Sequence, residues 1–157
     1  MNLLTIVRIT DDAGAVIEPT LLRQALPLHQ QLRPHLPTSA EEYAAKMERV
    51  FSHGARLVAA QRPDGSLAGL ALYRVYENTY EDLRLYIDDL VTDESQRSQG
   101  VGSALIDWCE QLARQRGCRF MALDSGTWRT AAHKLYFRKG FSISSFHFTR
   151  PLESDGK

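Results

Sequence analysis

The chain has 157 residues, 43% of them apolar and 24% charged, which is the size and composition of one ordinary globular domain, able to bury roughly 70% of its extended surface without a disulfide or metal. Nineteen Lys and Arg balance nineteen Asp and Glu, so the positive field that nucleic-acid binding needs is absent; the only cysteines, Cys109 and Cys118, lack disulfide-scaffold or zinc spacing and read as reduced, buried thiols. No apolar run approaches the roughly 18 residues of a membrane span, and the first twelve residues lack the pattern of a signal peptide, so a cytoplasmic enzyme or binding protein with no nucleic-acid, membrane or metal partner is expected.

Leu3, Leu4, Ile6, Val7 and Ile9 form an apolar run ended by Asp11 and Asp12, a first strand. Residues 19–51 are helical in pattern, with Leu21, Leu22, Ala25, Leu28 and Leu32 at helical spacing before Pro34 and Pro37, which predicts two helices. Thr38 or Ser39 can cap the second, Glu41 or Glu42 follows about three residues on, Tyr43, Met47, Val50 and Phe51 line one face, and His53-Gly54 ends it. Residues 56–61 and 67–75 are strand-like, and Pro63-Asp64-Gly65 between them suits the turn of an antiparallel hairpin.

Residues 83–92 read as the longest and central strand, and 100–116 as a helix whose Val101, Leu105, Trp108, Cys109 and Leu112 form an apolar stripe closed by Gly117. A returning strand at 118–124, a helix at 130–139 stopped by Gly140 and a last strand at 141–149 complete the pattern. Strand, helix and strand in succession imply a parallel pair beside the earlier antiparallel hairpin, hence an α+β fold. Residues 1–151 form one domain in this reading, and 152–157 are a polar, flexible tail.

Arg97-Ser98-Gln99-Gly100-Val101-Gly102 lies between the central strand and the following helix. A helix start leaves about four N–H groups unpaired and carries partial positive charge, so it can hold a phosphate if the backbone is accessible. Gly100 and Gly102 permit that approach, Arg97 adds a cation, and no acidic residue lies between Ser98 and Ile106. The Walker pattern and the dinucleotide fingerprint are both absent.

Arg97-x-x-Gly100-x-Gly102 resembles the acyl-CoA pyrophosphate loop of the GNAT superfamily of N-acetyltransferases. Ala132-His133-Lys134-Leu135-Tyr136-Phe137-Arg138-Lys139-Gly140-Phe141 resembles its second hallmark, an Ala-x-x-x-Tyr helix closed by Gly-Phe. The run Tyr86-Ile87-Asp88-Asp89-Leu90-Val91-Thr92 is similar to the central strand of the diamine and aminoglycoside acetyltransferase branches. The resemblance extends along the whole chain. It implies a single GNAT-like domain: a mixed, mostly antiparallel sheet with helices on both faces, its parallel strand-helix-strand core splayed at the CoA site. Leu90, Val91 and Thr92 would bond the pantetheine arm and acetyl carbonyl, and Arg97, Ser98, Gln99, Gly100, Val101, Gly102 and Ser103 would hold the pyrophosphate. The implied donor is acetyl-CoA and the acceptor a small-molecule amine or lysine side chain; homodimers are frequent in the superfamily.

An alkyl amine is protonated at neutral pH, so transfer requires a base. Asp88 and Asp89 stand on opposite faces of a regular strand, so one alone faces the cleft unless a bulge intervenes. The resemblance favours Asp88, acting directly or through water, with Asp89 in reserve, and matches Tyr136 to the tyrosine that protonates the departing thiolate. Leu135, Phe137 and Phe141 read as core. Arg129 stands where the family often has Asn and is either a phosphate ligand or a solvated helix-start arginine; His133 either approaches the cofactor or caps the helix. Glu77, Glu81, Asp82, Asp88, Asp89, Asp93 and Glu94 crowd one stretch; at a cleft mouth they would draw in cationic amines, and otherwise they are a solvated charge run. The alternative to an enzyme is a non-catalytic CoA-binding or interaction module.

Overall fold

A computed structural model describes residues 3–97 and 99–153. Two compact units divide at Leu123/Asp124. The first carries β1 (Thr5–Arg8), α1 (Pro19–Gln24), α2 (Leu26–Leu32), α3 (Ala40–Ser52), β2 (Arg56–Gln61), β3 (Leu67–Asn78), β4 (Asp82–Thr92), a 3₁₀ turn (Glu94–Gln96), α4 (Val101–Gln115) and β5 (Phe120–Leu123). The second carries α5 (Thr130–Arg138). The strands form one sheet in the order β1-β2-β3-β4-β5, antiparallel except for the parallel β4–β5 pair. The α+β architecture expected from the strand-helix-strand order is therefore present.

Strand alternation sorts the sheet's side chains into two cores. Leu57, Ala59, Leu70 and Leu72 face Leu22, Leu26, Tyr43, Met47 and Phe51 of α1, α2 and α3. Val58, Ala60, Ala71, Tyr73, Leu85 and Ile87 face Val101, Leu105, Cys109 and Leu112 of α4. The stripe predicted on α4 is thus its buried face, although Trp108 is only half-buried and packs edge-on against Tyr73. Where α4 begins, Gly69 of β3 lets the helix come close: a Cβ there would lie 2.6 Å from Val101 Cγ1 and 2.8 Å from the Val91 carbonyl oxygen.

The β2–β3 turn closes as its residues predict. Gly65 takes φ +89°, and Asp64 Oδ1 accepts from the Ser66 N–H at 2.9 Å. Ser39, of the two candidates, caps α3 by accepting from Glu42 N–H at 3.1 Å, a contribution of ~1 kcal/mol.

Five expectations need correction. The strand read at 83–92 is neither the longest nor the central one: β4 has 11 residues against 12 in β3, and β3 holds the middle of the order, because β4 has only β5 beyond it. The first predicted helix is two, α1 and α2, meeting at Ala25, because Pro27 has no N–H to give the Arg23 carbonyl and its ring crowds the preceding turn. Residues 141–149 form no strand: an alternating segment becomes one only when a neighbour pairs its backbone, and no ladder partner is present among the described residues. Cys118 sits just past the end of α4 and is half-exposed, while Cys109 is fully buried. Phe137 is 55% exposed, its position about 100° round α5 from Tyr136 turning it off the apolar side.

Candidate active site

Two irregularities coincide on β4. Its ladder with β3 pairs Tyr73 with Ile87 and then Leu72 with Asp89, so Asp88 is an extra residue, a β-bulge. Its ladder with β5 stops at Ile87↔Leu123. From Asp88 to Thr92 the edge away from β3 has no neighbouring strand among the described residues; the Asp88 carbonyl accepts from Arg33 Nη2 at 3.4 Å, and alternate N–H and C=O groups of Asp89, Leu90, Val91 and Thr92 are left open to a ligand. This is the opening expected of the parallel core.

The bulge also resets which way side chains point. Leu85 and Ile87 pack on the α4 face, and past the extra residue it is Leu90 that does so, while Val91 lies on the α1–α3 face. Asp88 and Asp89 therefore both project toward the α1–α3 face, which no regular strand allows.

Their surroundings separate their roles. Asp89 Oδ2 accepts from His29 Nε2 at 2.7 Å, and Oδ1 accepts from Arg33 Nη2 at 2.6 Å and Nε at 3.0 Å. The other ring nitrogen, His29 Nδ1, lies 2.8 Å from the Tyr43 hydroxyl. His29 and Tyr43 are buried. An ionised carboxylate only accepts, so His29 Nε2 carries the proton in this bond. Burial pushes the Asp89 carboxyl upward, but the hydrogen bonds from His29 and Arg33 outweigh it and hold the group below the usual carboxylate range. Burial, with the Asp89 charge adding to it, keeps the Tyr43 phenol protonated. Asp89 is thus a buried anchor that ties α2 and α3 to the bulge. Among the described residues the Asp88 carboxylate has only Arg74 Nε, on its Oδ2 at 2.7 Å, and beside it opens a pocket of about 350 Å³ lined in part by His53, Arg74, Tyr76 and Tyr86.

At the other end of the strand, the chain is tied down before it enters α4. Asp93 accepts from Arg62 Nη2 at 3.1 Å and from Gln31 Nε2 at 3.3 Å, and Gln31 Oε1 accepts from Glu94 N–H at 3.0 Å. Gly100 takes φ +81° as the residue before α4, a left-handed conformation suited to glycine. With no side chain it offers the first-turn N–H groups of Val101, Gly102 and Ser103 no cap, and that turn holds no acidic residue. The Val101 side chain is buried, so its share in binding is through its N–H. Arg97 is 68% exposed and only 4.0 Å from Glu94; Gln99 is exposed, and Ser98 lies outside the described residues. The free helix start and the open β4 edge fit the pyrophosphate and the amide-bearing arm of an acyl-CoA.

In the second unit, α5 ends where Gly140 turns to φ +88°, and Tyr136 stacks edge-on against Phe141 at 6.1 Å. Burial raises the Tyr136 phenol, with the Arg129 charge opposing, which keeps it a proton donor at neutral pH. Arg129 precedes the first turn of α5 with its guanidinium over the Trp128 ring at 5.5 Å, and His133 Nε2 lies 2.9 Å from the Gly126 carbonyl, to which it donates. That bond ties α5 to the loop before it and caps neither end of the helix, which has no side-chain cap at its start.

Five of the seven acidic residues crowded in 77–94 stand in ion pairs of 3.4 Å or less. Glu81 pairs with Arg84 at 2.7 Å, Asp82 with Arg119 at 3.4 Å, Asp93 with Arg62, Asp88 with Arg74 and Asp89 with Arg33. The pairings of Asp89 with His29 and Arg33, of His29 with Tyr43 and of Asp88 with Arg74 are not legible in the sequence, because the partners lie 14 to 60 residues apart. No local spacing marks such pairs.

A profile of the Acetyltransferase (GNAT) family matches residues 23–141. The chain belongs to this family. As a GNAT protein it is an acyl-CoA-dependent N-acetyltransferase. It is 33% identical over 132 residues, 82% of this chain and 90% of the relative, to the uncharacterised N-acetyltransferase YhdJ of Bacillus subtilis. Over 66 residues, 42% of this chain and 43% of the relative, it is 39% identical to the aminoalkylphosphonate N-acetyltransferase of Salmonella typhimurium. Its fold is similar to that of the aminoglycoside N-acetyltransferase AAC(6')-Iy in complex with CoA, with TM-score 0.77 at 19% identity, covering 98% of this chain and 97% of that one. Among the described residues no helix is long and apolar enough to cross a membrane.

Proposed function

We propose that this GNAT protein transfers an acetyl group from acetyl-CoA to a primary amine by direct attack in a ternary complex, in the cytoplasm. The observation that carries this reading is Asp88, a bulge residue with one carboxylate oxygen unengaged, at the point where the β4 edge opens and beside a pocket. The acceptor arrives as an ammonium and must lose a proton before its nitrogen has a lone pair. Asp88 takes that proton, directly or through water. The nitrogen then bonds to the thioester carbon and the carbon–sulfur bond breaks. Tyr136 gives its hydroxyl proton to the departing thiolate and is reprotonated by the second proton of the amine, through solvent. Gly102 and its neighbours at the start of α4 hold the donor's phosphates, so that positioning lowers the barrier and no covalent enzyme species is needed. The name of the Salmonella relative, an amine acetyltransferase, supports an amine acceptor.

Thiol release from acetyl-CoA over an amine panel tests this. Wild-type protein is expected to release thiol with at least one amine, Asp88→Asn to lose ~10²- to 10⁴-fold in kcat, as removal of a general base does, and Tyr136→Phe to lower kcat with acetyl-CoA affinity retained. Binding of acetyl-CoA without release for any amine leaves the non-catalytic module instead.

A further inference from the structure

We infer that the acceptor is a small zwitterion, an amine that also bears a carboxylate or phosphonate, received by the Asp88–Arg74 pair in the pocket beside the bulge. This deepens the proposed acetyl transfer and rests on it for the reacting nitrogen.

The pair differs from the Arg33 and Arg84 pairs of β4 in what it leaves unused. Arg33 spends its guanidinium on Asp89 and the Asp88 carbonyl, and Arg84 spends its own on Glu81 and the Tyr76 hydroxyl. Arg74 donates only Nε, to Asp88 Oδ2. Among the described residues both of its Nη groups are free, the fork that binds a carboxylate or phosphonate bidentately. Asp88 Oδ1 is likewise unengaged. Side-chain exposures of 40% for Arg74 and 23% for Asp88 make the bond between them inexpensive to exchange. A ligand with both charges can replace it without stranding either partner.

The pocket walls agree with that ligand. His53 and Gly54, at the C-terminal end of α3, place the negative pole of a 13-residue helix at the cavity, which favours an ammonium. Tyr76 and Tyr86 supply flat surfaces for a short methylene chain. Their rings are held by the Arg84 guanidinium, 5.0 Å from each centroid. About 350 Å³ is near the lower limit of small-molecule sites, enough for a few carbons between the two charges. A diamine would set its second cation against Arg74, and a plain monoamine would leave Arg74 without an anion.

The test compares 3-aminopropanoate and 2-aminoethylphosphonate with propylamine and 1,3-diaminopropane as acceptors, in wild-type protein and in Arg74→Ala, Arg74→Lys and Arg74→Glu, with calorimetric titration of both zwitterions in the presence of CoA. In the wild type at least one zwitterion is expected to exceed propylamine in kcat/KM by ~10- to 100-fold, the range for a charge-assisted contact; which one leads decides between carboxylate and phosphonate. That ratio is expected to collapse toward one in Arg74→Ala, to recover in part in Arg74→Lys, and to give way to a diamine preference in Arg74→Glu. Propylamine or the diamine used as well as both zwitterions by wild-type protein overturns the inference and leaves acetyl transfer standing. Zwitterion binding without acetylation of any amine overturns the transfer reading and keeps the pocket assignment. Neither binding nor acetylation of either zwitterion overturns the inference outright. The wild-type ranking needs no variant, so a misfolded Arg74→Ala cannot shelter it.

Discussion

Replacing Asp89 by Asn removes the charge that joins α2 and α3 to the bulge while keeping the side chain's shape. The wild-type carboxylate accepts three hydrogen bonds, one from His29 and two from Arg33. The amide retains one acceptor oxygen, and its NH₂ faces either the Arg33 fork or His29 Nε2, which accepts from it only by moving its proton to Nδ1 and turning the Tyr43 hydroxyl. Bonds to charged groups contribute ~1.5–3 kcal/mol each, but the Arg33 side chain is 43% exposed, so its share is screened and smaller. The net loss is ~3 kcal/mol, set mainly by the buried His29 contact. For a chain of this size that lowers Tm by roughly 6–12 °C. The sign of the pH dependence follows from the lowered Asp89 carboxyl. Its stabilisation is complete above the unfolded-state value of about 3.9 and is lost as pH falls through the lower folded-state value. Calorimetric melts of the two proteins should therefore differ by a constant amount from pH 7 to about 5, with the gap narrowing below about 4. A difference under 2 °C at pH 7, or one undiminished in acid, refutes the anchoring role.

Gly100→Glu forces a residue with a Cβ into φ +81° at the start of α4 and adds a negative charge at the proposed phosphate site; it is expected to raise the acetyl-CoA Kd more than tenfold by calorimetric titration, and an unchanged Kd would remove the helix start from the donor site. Gly69→Ala drives a methyl to 2.8 Å from a backbone oxygen that cannot move aside, an overpacking cost of ~1–3 kcal/mol in urea unfolding, with weakened acetyl-CoA binding because α4's first turn must shift. Cys109, whose thiol burial pushes up to about 12, should be inert to thiol reagents in the native state, and Cys109→Ala should keep kcat, since no covalent step uses it; loss of turnover at full stability would contradict the direct-attack route.

The sequence by itself determined the elements that depend on local chemistry. Pro63-Asp64-Gly65 closes a hairpin because its residues suit that turn whatever surrounds it. The stripe from Val101 to Leu112 makes α4 amphipathic, and Gly100 before it leaves a helix start with no side-chain cap, suited to an anion wherever the helix is placed. Order along the chain then dictates a parallel β4–β5 pair. What needed the tertiary structure was every relation between distant residues. The extra residue at Asp88 is visible only against the register of β3, and it turns two adjacent aspartates toward one face when alternation alone would part them. Whether each aspartate is anchor or site is decided by His29, Arg33 and Arg74, brought to it from 14 to 60 residues away. The strand pattern at 141–149 shows the same limit from the other side, since a propensity to extend becomes a strand only when another backbone answers its hydrogen bonds.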